Sequence, residues 1–314
     1  MSRSPHGTGP TGRPTFRKHD DSPGATGLEA LGLIWLAEGM DDGGAHVVPV
    51  TTGRGWLEEP RLRSTSVTAR SAELFGRALA VTHAAGAPAF GVAPPGWDGR
   101  TRMGRSDVRI RLCEPEPEDV RPRRWGEFFA EDRLEPYLRP CRESGTLTPS
   151  DVRVIERVCE RLRDGDLDSE QPLLVREAAR ERGDHVAVAR THGDLWTGNV
   201  LWVPFAETVG WAPERAGRGP LPEPDRVASG DDVVGVLIDP LAQGAHGETD
   251  LAALGVFGQR HLDRIYAAYD EVSPLADGWR ERVALHQLHM LIIHAFLFGG
   301  GYGPETVDRA RPYA

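Results

Sequence analysis

The chain is expected to fold as an α/β (α+β) protein of two lobes, a small N-terminal lobe and a larger, mostly helical C-terminal one. Three observations point there. Its 314 residues suffice for two domains at about 150 each. Short strand-like runs crowd the first 60 residues, whereas apolar residues at helical spacing dominate the remainder. A polar loop at 192–199 sits between two short β-branched runs, and a third such run ends in an acid.

Residues 1–14 are mostly Gly, Pro, Ser and Thr and read as a flexible leader. Gly7 to Gly12 fits G-x-G-x-x-G, but no apolar run precedes it and Pro10 interrupts it, so the match is too weak to assign phosphate binding. A first lobe is expected over 15–59. It holds a helix from Ala25 to Glu38, with Leu28, Leu31, Ile34 and Trp35 on one stripe, and two strands, His46–Val50 and Arg54–Leu57, stopped by Glu58-Glu59-Pro60. The second lobe, 60–314, opens with a helix over Thr68–His83 and an irregular stretch over 86–106. Thr148-Pro149 is an N-cap with Pro at the first helical position, and Val152, Ile155, Cys159 and Leu162 share a face until Gly165. Strands follow at Val186–Ala189, Val200–Val203 and Val233–Ile238, with a flexible insertion over 204–232. Trp279–Phe298 is the longest periodic segment, ended by three glycines.

Composition excludes several function classes. A net charge of −10 disfavours nucleic acid as a partner, because phosphate neutralisation needs a basic face. No apolar run approaches the length of a membrane span, and no signal segment opens the chain. Three cysteines, at 113, 141 and 159, are odd in number and form no CxxC, so a disulfide framework or structural zinc is not expected and a cytoplasmic setting is simpler. Of 37 basic residues, only Lys18 is lysine, and Asn199 is the only asparagine. A compact ammonium beside a ligand cannot be replaced by a guanidinium, so a sole lysine is a candidate site residue.

His192-Gly193-Asp194-Leu195-Trp196-Thr197-Gly198-Asn199 fits H-x-D-L-x-x-x-N, the pattern of a phosphotransferase catalytic loop. One carboxylate faces an acceptor hydroxyl, and five residues on a neutral oxygen turns back toward a cation on the phosphates. Asp239, before Pro240 at the end of a strand, supplies a second cation ligand. Lys18, followed by a helix bearing Glu29, fits the ion pair that places a lysine on nucleotide phosphates.

These residues resemble the fructosamine kinase (ketosamine-3-kinase) family, part of the protein-kinase-like and aminoglycoside-phosphotransferase-like superfamily. The loop H-G-D-L-W-[ST]-G-N, Asp239-Pro240, Glu248-Thr249-Asp250-Leu251, Tyr266-Ala267-Ala268-Tyr269 and Leu297-Phe298-Gly299-Gly300-Gly301-Tyr302 carry the likeness, with Trp125, Phe128 and Phe129 earlier. It implies a two-lobed protein-kinase-like fold with a reduced N-terminal lobe. It implies ATP and Mg2+ as cofactors and transfer of phosphate to the 3-hydroxyl of a ketosamine, a small sugar-amine or glycated amine. Asp194 is then the catalytic base, Asn199 and Asp239 the magnesium ligands, and Lys18 with Glu29 the phosphate-orienting pair. Leu57, Glu58 and Glu59 are the hinge holding adenine. Trp196 is either a wall of the sugar site or a buried indole that supports the loop, and His192 and Asp250 brace the loop. His294, inside an apolar helix, reads as a core histidine. Two rival readings stand beside this one: a kinase of another small alcohol or aminoglycoside, and a non-catalytic nucleotide-binding interaction protein. Two features depart from the family: only seventeen residues precede Lys18, and the 204–232 segment is longer than a turn.

Overall fold

The computed structural model describes residues 2–8, 14–20, 24–99, 102–103, 106–113, 121–211 and 230–314. Strand β1 (Ser2–Thr8) pairs antiparallel with β2 (Pro14–His19). The flexible leader expected over 1–14 therefore contains strand structure at 2–8 and at Pro14. Strand pairing uses backbone groups and needs no apolar alternation, and Pro5 is compatible with the edge position that β1 occupies. Residues 9–13, which complete the glycine motif, lie outside the described residues.

Helix α1 (Ala25–Ala37) follows, then β3 (His46–Val47), β4 (Thr51–Gly53) and β5 (Trp56–Pro60). The small-lobe sheet has the order β1-β2-β5-β4, and α1 packs against β4 and β5. Residues 61–68 lead to α2 (Ala69–Ala84), whose N-cap Thr68 accepts from the Ser71 amide at 3.0 Å. The Gly- and Pro-rich connection after α2 contains a small hairpin of β6 (Arg102–Met103) and β7 (Ser106–Asp107). Helix α3 (Trp125–Phe128) runs through one widened turn at 129–134 into α4 (Glu135–Glu143), burying Trp125, Phe128 and Phe129. Helix α5 (Pro149–Asp164) is capped by Thr148 and ended by Gly165 at φ 87°, as the spacing predicts. Helix α6 (Leu173–Arg182) precedes β8 (Ala189–Thr191), β9 (Val200–Pro204), β10 (Val233–Leu237) and β11 (Gln243–Ala245). Helices α7 (Gly247–Val256), α8 (Leu262–Val272), α9 (Trp279–Phe298) and α10 (Tyr302–Ala310) complete the large lobe.

Strand β10 is central in a three-stranded sheet, antiparallel to β9 and parallel to β3. The His46 strand therefore pairs with the large lobe's β10 and not with the small-lobe sheet, because Val47 and Val48 are buried in the core shared with Val236 and Leu237. The insertion expected over 204–232 is corrected at both ends. Glu207 and Thr208 are buried, Arg63 donates to Glu207 at 2.6 Å, and Arg70 donates to Asp232 at 2.8 Å. Two arginine–carboxylate contacts fix what a polar composition left looking loose. Residues 212–229 lie outside the described residues.

Helices α2 and α8 approach so closely that a Cβ at Gly76 would lie 2.3 Å from the Ile265 carbonyl oxygen. Gly76→Ala must push the helices apart, at an expected cost of about 1–3 kcal/mol. The measurement is a urea midpoint by far-UV circular dichroism; an unchanged midpoint would refute this close contact.

Candidate active site

The β2–β5 register sets Lys18 opposite Leu57, with Glu59 two residues on along the same face of β5. The Lys18 ammonium, 1% exposed, donates to Glu29 of α1 and to Asp239, and lies 3.4 Å from Glu59. Burial pulls the ammonium's pKa down, but Glu59, Glu29 and Asp239 together hold it above its ordinary value. Burial pushes Glu29 up to about 8 against the pull of Lys18, with Asp239 and Glu59 adding repulsion. Three carboxylates around one ammonium leave an excess of negative charge in a buried place.

Asp239 has φ 53°, a left-handed backbone that is rare outside glycine. It is held by its neighbours: Ile238 N donates to Asn199 O at 3.1 Å, and Leu241 N donates to His192 O at 3.0 Å. The loop carrying Asp239 is thus bonded on both sides to the loop carrying Asp194.

In that second loop, Asn199 Nδ2 donates to the Asp194 carbonyl at 2.8 Å and to its carboxylate at 3.1 Å. The amide oxygen of Asn199 is left for another donor or a cation. Burial pushes Asp194 up to about 7; the Asn199 bond opposes this, while Asp239 and Asp250 reinforce it. Gly193 has φ 78°, and a Cβ there would lie 2.1 Å from Leu241 O, so only glycine fits. His192 Nε2 donates to Ile238 O at 2.9 Å, which leaves Nδ1 to accept from Asp194 N at 3.3 Å. Asp250 of α7 accepts from the backbone amides of His192 at 2.6 Å and Gly193 at 3.0 Å. Burial raises the Asp250 pKa, but the bond and charge of His83, with the charge and amide of His192, bring it below the ordinary value.

The sequence reading overlooked His83 and gave Glu59 a different role. His83 Nε2 donates to Asp250 at 3.2 Å and its Nδ1 accepts from the Tyr269 hydroxyl at 2.8 Å, a chain formed by α2 and α8 behind the loop. Nothing in local spacing signals a contact between residues 83 and 250. Glu59, assigned to a hinge, faces Lys18; its alternation with buried Leu57 was the available signal. The hinge expected at Leu57, Glu58 and Glu59 is corrected at Leu57 and Glu58. Leu57 and Glu58 lie inside β5 with β2 on one edge and β4 on the other, so their backbone is occupied by strand pairing. Strand β5 continues to Pro60, and the lobe connection begins at Arg61.

Trp196 meets the edge of Phe257 with centroids 5.6 Å apart at 88°. Phe257 in turn neighbours His294 at 4.9 Å and Tyr302 at 6.3 Å, and His294 neighbours Phe298 at 5.4 Å. His294 is only half-buried, because it belongs to this aromatic wall beside the loop and not to the helix core; its Nδ1 donates to Met290 O at 2.8 Å.

Hard oxygen donors at Asn199 and Asp239, beside surplus negative charge, are the chemistry that suits a hard divalent cation. The donor atoms of Glu29, Glu59 and Asp239 lie within 4.8 Å of one another.

Comparison with known proteins bears on this arrangement. The family model described as fructosamine kinase matches residues 50–310. A Thermobifida fusca protein whose crystal structure is described as that of a "putative fructosamine-3-kinase" is 35% identical and superposes with a TM-score of 0.72, covering 100% of this chain and 93% of that one. The choline kinase LicA of Streptococcus pneumoniae is 13% identical, with a TM-score of 0.54 over 99% of this chain and 89% of that one, a likeness of fold. A Synechocystis protein named "Probable ketoamine kinase" is 28% identical over 232 residues, 74% of this chain and 58% of its own length. The chain spans about half the length of the curated relatives it matches. With the two lobes and the loop geometry, these matches show that the chain has a protein-kinase-like fold and belongs to the fructosamine kinase family.

Proposed function

We propose that the protein transfers the γ-phosphate of ATP to the 3-hydroxyl of a ketosamine, with magnesium. One observation carries this reading: the Asp194 loop and the Asp239 loop are bonded to each other, with Lys18 and Glu29 gathered on Asp239. Asp194, with its pKa raised to about 7, accepts the proton of the acceptor hydroxyl as that oxygen bonds to phosphorus and the bond to the ADP oxygen breaks. Lys18, oriented by Glu29, holds the nucleotide phosphates. Asn199 and Asp239 would hold magnesium, which supplies positive charge to the phosphate oxygens when bound. Asp250 and His192 keep the loop backbone in place, and Glu59 with the residues after β5 offers the adenine contact that Leu57 and Glu58 do not. Trp196 and its aromatic neighbours supply a flat wall for a sugar and a face for the protonated amine beside it. That wall favours a ketosamine over the rival acceptors.

The acceptor is tested by phosphorus NMR after reaction with fructosyl-lysine and ribulosyl-lysine. Phosphate on the third sugar carbon is expected; turnover of an aminoglycoside or choline with none of any ketosamine would shift the assignment to the first rival.

Asp194→Asn should lower kcat by about 10²–10⁴-fold with nucleotide binding retained. The same change has a stability signature in metal-free protein. The folded protein holds on the Asp194 carboxyl a proton that the unfolded chain releases near the ordinary 3.8, so stability falls as pH rises from there to about 7. Asp194→Asn removes that cost. Its Tm should exceed the parent's near pH 8, with the gap closing toward about pH 4; a gap that widens on acidification would contradict the raised pKa.

Lys18→Arg keeps the charge but replaces a compact ammonium with a planar fork, so nucleotide-dependent activity should fall at least about tenfold. An amine-reactive ATP analogue should label Lys18, with protection by Mg-ATP, and Asp239→Ala should remove that protection. Full activity in Lys18→Arg would assign the nucleotide phosphates to other residues.

A further inference from the structure

Helix α1 places Glu29, yet its first turn has no side-chain cap of its own: the N-cap is Gly24, with φ 88°. Two groups from elsewhere hold that turn. Asp20, just past β2, accepts from Gly24 N at 2.9 Å, from Thr26 N at 2.7 Å and from the Thr26 hydroxyl at 2.7 Å. On another side lies the indole of Trp97. A Cβ at Gly24 would come within 2.9 Å of that ring, and one at Gly27 within 3.5 Å.

The apolar contacts here are separate from the main core. Leu28, next to Glu29, forms a small cluster of its own with Val108 and Leu241, covered by Trp97 and Ile110. Leu241 stands two residues past Asp239, and its amide is the one bonded to His192 O. One turn further along α1, Gly32 rests on the same loop: a Cβ there would lie 3.2 Å from both Pro240 and Ala242. The cluster therefore joins the helix that carries Glu29 to the loop that carries Asp239.

Trp97 reaches this place from the large lobe. Its segment is rooted on β11 by Gly91 N to Gly244 O at 2.8 Å and Gly244 N to Val92 O at 3.0 Å. It is closed on itself by Ala93 N to Arg111 O at 2.8 Å and Arg111 N to Gly91 O at 2.7 Å. A Gly- and Pro-rich connection with such a fixed root can present one large side chain at a constant position. Packing an indole against glycines 24 and 27 brings its ring close to the helix backbone; a Cβ at Gly24 would hold it off, and one at Gly27 would touch it at ordinary contact distance.

We propose that Trp97 is a positioning residue: a wedge from the large lobe that holds α1 against the Asp239 loop, so that Glu29 and Asp239 meet Lys18 together. The proposal rests on the reading of those three residues as the nucleotide-phosphate site. The indole acts here by shape. Its Nε1 is buried and makes no hydrogen bond among the described residues, so another flat ring can serve in its place.

The experiment compares Trp97→Ala, Trp97→Phe and the parent by amide hydrogen exchange and by steady-state kinetics. In Trp97→Ala, α1 amides should exchange about tenfold faster or more, while α5 and α9 keep their protection. The KM for ATP should rise about tenfold with the acceptor KM unchanged, and Trp97→Phe should restore most of both. If Trp97→Ala loses protection throughout, Val108→Ala, a smaller deletion in the same cluster, carries the same comparison with a smaller expected change. Unchanged α1 exchange overturns the proposal, as does faster α1 exchange with an unchanged KM for ATP. Failure of Mg-ATP to protect Lys18 in the parent would instead count against the phosphotransfer reading. The exchange comparison needs no nucleotide and would still decide whether Trp97 holds α1.

Discussion

The ammonium of Lys18 is the constraint on which the rest of the site depends. A lone buried charge is intolerable, so the three carboxylates that meet it must come from wherever the fold can supply them: α1, β5 and the loop after β10. Removing one partner from a buried pair of this kind typically costs about 3–5 kcal/mol, enough to dictate where whole elements sit. Strand β2 is fixed by its register with β5, α1 is drawn down by Glu29, and the Asp239 loop closes the cluster. The surplus of carboxylate over ammonium then makes the pocket receptive to a cation and hostile to a bare anion, so phosphate and metal are expected to enter together.

Asp250 plays the matching part in the large lobe. It receives two backbone amides of the Asp194 loop on one side and His83 on the other, and His83 is in turn bonded by Tyr269. Four segments distant in sequence therefore converge behind one turn. The loop's exposed groups keep their direction because its buried groups have no alternative partners, which is how a short loop between two short strands can present a carboxylate without a wide range of rotamers.

The sequence announced those parts of the molecule whose signals are local. Thr148-Pro149, the stripe from Val152 to Leu162 and Gly165 define α5 unaided, because caps and periodicity are short-range physics. The loop at 192–199 is legible for the same reason: five residues separate Asp194 from Asn199, and the turn brings them into contact. The contacts that escaped notice, those of Glu59 and His83, are long-range. Glu59 was visible as one acid among several, and its role depends on a β2–β5 register that sequence does not state. His83 meets Asp250 across 167 residues. Strand β1 escaped because an edge strand is held by backbone bonds that leave little imprint on side-chain pattern, and the His46 strand was misplaced because its partner, β10, lies almost two hundred residues downstream.

The scarcity of lysine has a chemical consequence of its own. Ketosamines arise when reducing sugars condense with free amines and rearrange, and the side chain most exposed to that fate in ordinary proteins is the lysine ammonium. Here the only lysine is 1% exposed and closed in among carboxylates, while the remaining 36 basic side chains are guanidinium groups that form no such adduct. The chain offers sugars no accessible side-chain amine. A protein in the fructosamine kinase family is thereby nearly inert, along its side chains, to the condensation that creates fructosamines.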